Sequence, residues 1–287
     1  MNSLAEQLYQ LIIKTSTDMP EDVEDALQKA AETEKKAGNS LASEQISQML
    51  ENIKLARTNR RPLCQDTGLI NFYVNIPSDF DKVKFITAAE VAIIRATEEG
   101  TLRKNSVCSI TGKNSGDNLG IGTPAFYWGE SGKDIQVRLL LKGGGSENVG
   151  TQYALPDASI EADRDMDGVR KCIIDAVKKA QGKGCPPSVI SAVIGGDRAS
   201  GYAAAKKAFF RKIGERSTTP ELAKFEEETL KEINSLGIGP MGLGGAVTSL
   251  DLFVTALNRH PASFFVSVSQ MCWSCRRGNA VIEISSL

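Results

Sequence analysis

The chain has 287 residues, 41% of them hydrophobic and 24% charged, which is an ordinary globular composition with enough length to bury a sizeable core. Lys plus Arg number 34 against 35 for Asp plus Glu, so no net field draws the protein to nucleic acid or to an anionic membrane. One histidine, His260, argues against Ser-His-Asp hydrolysis and excludes multi-histidine zinc or iron centres; six cysteines are too dilute for a disulfide scaffold, which leaves packing, redox chemistry or metal.

Residues 4–15 and 21–38 carry apolar residues at helical spacing, separated by Met19-Pro20 and closed by Gly38. Residues 41–59 repeat the helical pattern, and residues 69–76 (LINFYVNI) form a buried-strand run bounded by Pro77. Between them stands Arg61-Pro62-Leu63-Cys64-Gln65-Asp66-Thr67-Gly68, a connecting loop that packs a thiol, an amide, a carboxylate and a turn glycine into eight residues. A further helix ends at Gly100, and the polar, glycine-bearing stretch 101–124 is too long for a simple turn. Strands are expected at 125–130 and 134–142, the second entering Lys142-Gly143-Gly144-Gly145-Ser146-Glu147-Asn148. Residues 161–182 read as helix, stopped by Gly184-Cys185-Pro186-Pro187; a β-branched strand, two helices and a glycine-rich segment (237–245) follow. Strand-like runs flank Asn258-Arg259-His260-Pro261, then come Cys272-Trp273-Ser274-Cys275-Arg276-Arg277-Gly278 and a short final strand. With no repeat and no linker composition, the expectation is one α+β domain over 1–287, a helical N-terminal region packed on small β-sheets. No run approaches the roughly 18–20 apolar residues of a membrane span, and the first residues lack a signal-peptide pattern, so the chain is expected to be cytoplasmic.

The glycine-rich segments fail both nucleotide fingerprints on context: none follows a strand and opens a helix, and none completes the P-loop. Each is read as a tight turn, or as a place where backbone N–H groups can approach an anion without a Cβ in the way. Cys272 and Cys275 form a lone CxxC, short of the second pair that a structural zinc site needs. Cys108 and Cys172, set among apolar residues, are expected to be small buried hydrophobes. Cys64, Cys185 and Cys272 differ, each standing in a loop beside Gly, Pro or Arg. Three thiolates from separate loops can hold three corners of a 4Fe-4S cluster and leave the fourth iron without a protein ligand, although any six-cysteine chain offers such triplets.

RPLCQDTG, the LRKNSV segment, KGGGSEN, GCPP, LGIGPMGLGG and the RHPAS…CWSCRRG ending resemble, in the same order, the α-subunit of class I iron-sulfur fumarases and the similar L(+)-tartrate dehydratases. The resemblance implies an iron-sulfur hydro-lyase in which Cys64, Cys185 and Cys272 hold a 4Fe-4S cluster. It implies substrate contacts from Gln65, Asp66, Arg103, Gly143, Gly144, Gly145, Ser146 and Asn148, and catalytic roles for Asp66 and His260. A loop histidine before proline could equally serve only to order its turn. Family members keep the remaining catalytic groups in a second domain, so the resemblance implies a separate β-subunit of roughly 200 residues, a common domain size, in an α2β2-type assembly. The expected substrate is a C4 dicarboxylate, with L-malate and fumarate ahead of L(+)-tartrate. A metal-binding subunit with a structural role is the reading from another class.

Overall fold

Periodicity alone anticipates most of the elements that the computed structural model shows for residues 3–286. In chain order these are α1 (Leu4–Thr17), α2 (Glu21–Lys36), α3 (Ser40–Asn59), β1 (Leu69–Ile76), α4 (Lys82–Glu98), β2 (Ala125–Glu130), β3 (Ile135–Lys142) and α5 (Gly144–Asn148). They continue with β4 (Thr151–Ala154), α6 (Met166–Ala180), β5 (Ser188–Ile194), α7 (Arg198–Ala208), α8 (Pro220–Ser235), β6 (Ser249–Ala256), β7 (Phe265–Met271) and β8 (Arg276–Ile282). The architecture is α+β, as the patterning implied, and the chain divides into two compact units.

The first unit comprises Met1–Pro20, Glu51–Gly144 and Ser274–Leu287. Its sheet has the order β2-β1-β3-β8, with β1 and β2 parallel and the other pairs antiparallel. The parallel pair needs a long crossover, which α4 and the 101–124 stretch supply. One face of the sheet is covered by α1 and α4: Leu8 and Ile12, Phe85 and Ile93 meet Phe72, Val74, Val137 and Leu139 in one buried cluster. Phe72 stacks on Phe126 at 5.5 Å and meets Phe85 edge-on at 6.2 Å, so aromatic geometry fixes where α4 crosses β1. Each fully buried Phe or Ile contributes about 1.5–3 kcal/mol, which makes this cluster the rigid base for the loop entering β1.

The second unit comprises Glu21–Leu50 and Gly145–Trp273. Its sheet runs β4-β7-β5-β6, with β5 and β6 parallel and the rest antiparallel. Val169, Ile173 and Val177 of α6 bury against Ile190, Ala192, Leu252 and Val268. The α6 helix starts at Met166, not 161, because Asp165 caps it by accepting from Gly168 N–H at 2.7 Å.

Three local readings change. β4 is a strand of four residues, too short to leave a period-2 signature. The KGGGSEN turn, expected as loop, winds into the single-turn helix α5. Cys108, expected to be buried, is exposed, as are its apolar neighbours Val107 and Ile110, whereas Cys172 is fully buried in α6 as expected. No helix among the described residues is long and apolar enough to cross a membrane.

Candidate functional site

In the first unit the loop from Arg61 to Gly68 is tied down at both ends. Arg61 N–H donates to Ala56 O as α3 closes, Leu63 N–H donates to Ser16 O at 2.9 Å, and Asn52 Nδ2 donates to Leu63 O at 2.8 Å. At the far end Gly68 has φ +89°, and a Cβ there would sit 2.8 Å from the Leu141 carbonyl carbon, so the strand entry accepts only glycine. Thr67 is buried, and its Oγ1 accepts from Arg103 N–H and from Asn105 Nδ2, both at 3.0 Å. That bridge brings the 101–105 segment up beside the cysteine loop. Pro62, Cys64, Gln65, Thr67, Leu102, Arg103 and Lys104 consequently border one open depression of about 450 Å³. Cys64, Gln65 and Arg103, singled out separately in the sequence, thus meet around one space; Thr67 and Lys104 were missed.

Asp66 faces the glycine turn. Gly68 N–H donates to its Oδ1 at 2.9 Å and Gly144 N–H to its Oδ2 at 2.7 Å, so backbone donors hold both carboxylate oxygens in one orientation. Gly143 is pressed against this carboxylate: a Cβ there would be 3.2 Å from Asp66 Oδ2. The Gly144 N–H is therefore spent on Asp66 rather than offered to a ligand. Behind the loop stands Arg276, the first residue of β8, which is fully buried and donates from Nη1 to the Asp66 carbonyl at 2.6 Å. Cys275 is buried next to it, and its sulfur accepts from Arg277 Nη1 at 3.5 Å.

In the second unit a 3-10 turn, Gln181–Gly184, follows α6, and Cys185 takes the left-handed conformation at φ 51°. A non-glycine residue in that region costs about 1–3 kcal/mol and persists where its surroundings fix it. They do so here: Trp273 N–H donates to Cys185 O at 3.1 Å and Met241 N–H to Pro186 O at 2.8 Å. The first of these bonds joins the Cys185 turn to the end of β7, where Cys272 is buried. A Cβ on Gly184 would lie 2.9 Å from Gln270 Oε1, so a side chain there would displace the Gln270 amide. The amide of Gln270 is buried as well, and its Nε2 has no hydrogen-bond partner among the described residues. Cys185 and Cys272 thus share one corner of the second unit, while Cys64 belongs to the first.

Of the glycine turn, Gly145, Ser146 and Asn148 belong to the second unit; Gly145 approaches the Lys183 carbonyl, and Ser146 is buried. His260 is exposed in the turn after β6, and its Nδ1 accepts from Ala262 N–H at 3.1 Å. That bond orders the turn and, in the neutral ring, places the hydrogen on Nε2.

Soft thiolates are the donors that an iron-sulfur cluster takes, and none of the six cysteines is in a disulfide among the described residues. Two half-buried thiols in fixed loops, Cys64 and Cys185, a buried third, Cys272, and an amide donor without a partner beside the Cys185 turn are chemically suited to such a group. Within either unit, no three His, Cys, Asp or Glu side chains among the described residues form a mononuclear metal group.

Thiols in fixed loops, one of them sharing its depression with an arginine, are suited to a soft metal group and an anion. The comparison with known families makes this specific: the family model described as fumarate hydratase (Fumerase) matches residues 5–281, and the chain belongs to that family. It is 46% identical over 281 residues to a putative class I fumarate hydratase of Geobacillus stearothermophilus, covering 96% of this chain and 54% of that protein. It is 35% identical to a putative L(+)-tartrate dehydratase subunit alpha of Methanocaldococcus jannaschii, covering 99% of both. It is 30% identical to the L(+)-tartrate dehydratase subunit alpha of Escherichia coli K12, covering 99% of this chain and 92% of that one. The chain therefore spans about half of the fumarate hydratase relative and nearly all of the tartrate dehydratase subunits.

Proposed function

We propose that this chain is the α-subunit of a hydro-lyase that reversibly removes water from a C4 hydroxy-dicarboxylate, L-malate to fumarate in the first instance. The observation that carries the reading is the depression bordered by Cys64, Gln65 and Arg103, which sets a thiol beside the cation and amide that a dicarboxylate requires. In this reading the whole chain, 1–287, acts as one catalytic domain, with Cys64, Cys185 and Cys272 holding a 4Fe-4S cluster. When bound, such a cluster supplies a Lewis-acidic iron that weakens the substrate's carbon–oxygen bond.

The chain's own residues then bind and orient. Arg103 pairs through its planar fork with one substrate carboxylate, and Gln65 donates from its amide. Gly143, Gly145, Ser146 and Asn148 serve the remaining oxygens, while Gly144 keeps Asp66 aligned. Asp66, fixed by two backbone donors, moves or orients the proton of the substrate hydroxyl; His260 presents Nε2 as a donor. The base acting at carbon comes from a partner, a β-subunit of roughly 200 residues in an α2β2-type assembly. The names of the relatives, which are alpha subunits as long as this chain or slightly longer, support that reading. Thiol-rich sites of this kind favour a reducing compartment, so we place the protein in the cytoplasm.

L(+)-tartrate dehydratase is the second reading, favoured by relatives whose length matches this chain. The test is anaerobic reconstitution with the partner subunit, followed by turnover of L-malate and fumarate against L-tartrate. The first reading requires kcat/KM for malate to exceed that for tartrate by at least about tenfold, or about 1.4 kcal/mol. Cys185→Ser should abolish the cluster, and a normal cluster in that variant would remove it from the ligand set. A purely structural metal subunit would keep its visible spectrum unchanged when a dicarboxylate is added.

A further inference from the structure

Arg276 is among the largest fully buried side chains in the protein, at 0% exposure. Buried arginines are normally neutralised by a carboxylate, because an isolated buried cation costs several kcal/mol. Arg276 has no ion pair among the described residues: its Nη1 is used by a main-chain carbonyl, that of Asp66, and its Nε has no partner. The nearby Asp66 carboxylate makes no salt bridge to it among the described residues and accepts instead from Gly68 and Gly144 N–H. Gly143 stands by both groups, a Cβ there falling 3.7 Å from Arg276 Nη2 as well as 3.2 Å from Asp66 Oδ2.

We infer that Arg276 is a positioning residue: its guanidinium locks the Cys64–Gly68 loop through the Asp66 carbonyl and keeps a fixed positive charge beneath it for an anionic ligand. The hydrogen bond is charge-assisted and formed away from water, so it restrains the Asp66 backbone more firmly than a neutral donor would. The loop is thereby held before any ligand arrives, which reduces the ordering cost that binding would otherwise carry. The positive charge has a second effect. A cluster with thiolate ligands and a dicarboxylate both bring negative charge to this region, and a buried guanidinium favours both without titrating. This second effect rests on the proposed function; the loop-locking does not.

The two parts are separated by two measurements on the full chain. In metal-free protein, alkylation of Cys64 by iodoacetamide is followed by mass spectrometry, with exposed Cys108 as the reference and buried Cys172 as the fold control. Arg276→Met should raise the Cys64 rate about tenfold or more, because a loop that opens locally exposes its thiol. Arg276→Lys, which keeps the charge and at most one bond, should fall between Met and wild type. A Cys64 rate within about twofold of wild type in folded Arg276→Met overturns the locking role. If that variant does not fold, a wild-type Cys64 rate in Arg276→Lys overturns it instead. In reconstituted enzyme, KM for the dicarboxylate should rise about tenfold in Arg276→Met and recover partly in Arg276→Lys, as expected for a lost binding charge. Equal KM values in all three proteins overturn the electrostatic role. If wild-type protein takes up no cluster, the proposed function fails while the thiol measurement still decides the loop.

Discussion

The two units bury charge in opposite ways. In the second unit three fully buried carboxylates are saturated. Glu226 takes Arg211 through both guanidinium nitrogens, at 2.6 and 3.1 Å, and two backbone N–H groups; Asp251 takes Arg216 at 2.6 Å together with Gly214 and Leu252 N–H. Glu34 takes Ala246 and Val247 N–H and Asn39 Nδ2. In the first unit two cations, Lys142 and Arg276, are fully buried, and Arg276 has no salt bridge among the described residues and one nitrogen unmatched. A closed network of this kind is structure, because every group that lost water regained a partner. An open one costs stability, a cost that a ligand completing it would offset.

The largest effect that could break this contrast is on stability in the second unit. Glu226→Ala leaves Arg211 and two backbone donors facing a void and should cost about 3–5 kcal/mol in urea unfolding, with cluster uptake unchanged in the folded fraction. A loss under about 1 kcal/mol would show that the network is not the scaffold that its hydrogen bonds imply. In the first unit, Asp66→Asn places an amide donor against a backbone N–H. It should lower kcat by about 10²–10⁴ if Asp66 handles the proton, and a change within about threefold would leave it only an anchoring role.

Gly68→Ala meets the Leu141 backbone at 2.8 Å with φ at +89°; about 1–3 kcal/mol of stability should be lost, along with a more reactive Cys64. The thiols sharpen the picture further. Burial pushes Cys172 from the ordinary 9.0 up to about 12, whereas hydrogen bonds from the Thr111 side chain and from the Thr111 and Ile110 backbone hold exposed Cys108 below its ordinary value. Alkylation at pH 8 should therefore modify Cys108 and spare Cys172. Because the folded pKa of Cys172 is raised, its contribution to stability is intact below 9.0 and is lost as pH climbs toward about 12, which pH-dependent unfolding would register. The smallest effect is expected at the surface. Arg95→Ala removes exposed pairs with Glu6 and Glu99 and a stack on Tyr9 at 3.7 Å, and should lower the melting temperature by at most a few degrees.

The parts of the site that could be read from sequence are those whose position follows from local pattern. Cys64, Gln65 and Asp66 stand between a helical run and a strand run, and those runs became α3 and β1 with their boundaries nearly as expected. The lyase resemblance, and with it the family, was equally visible in the order of the motifs. Arg276 was not legible, because in Ser-Cys-Arg-Arg-Gly it looks like a solvated charge. Its burial comes from register: β8 sets Arg276 opposite Leu141 on β3, a pairing between residues far apart in the chain. Thr67 was hidden for a similar reason, its two bonds reaching Arg103 and Asn105 across α4. Cys108 misled because apolar flanks usually mark a core, yet here Val107, Ile110 and Ile121 are themselves exposed. The role of His260 in its turn follows from a bond only two residues away, and the His-Pro dipeptide did announce it.

The strand that carries Arg276 is threaded into its sheet last. On a ribosome the Cys64 loop emerges more than two hundred residues before the guanidinium that secures it; until β8 zips onto β3, the nascent first unit lacks both its sheet edge and its internal cation. A chain interrupted before residue 276 would thus carry the cysteine without the clasp.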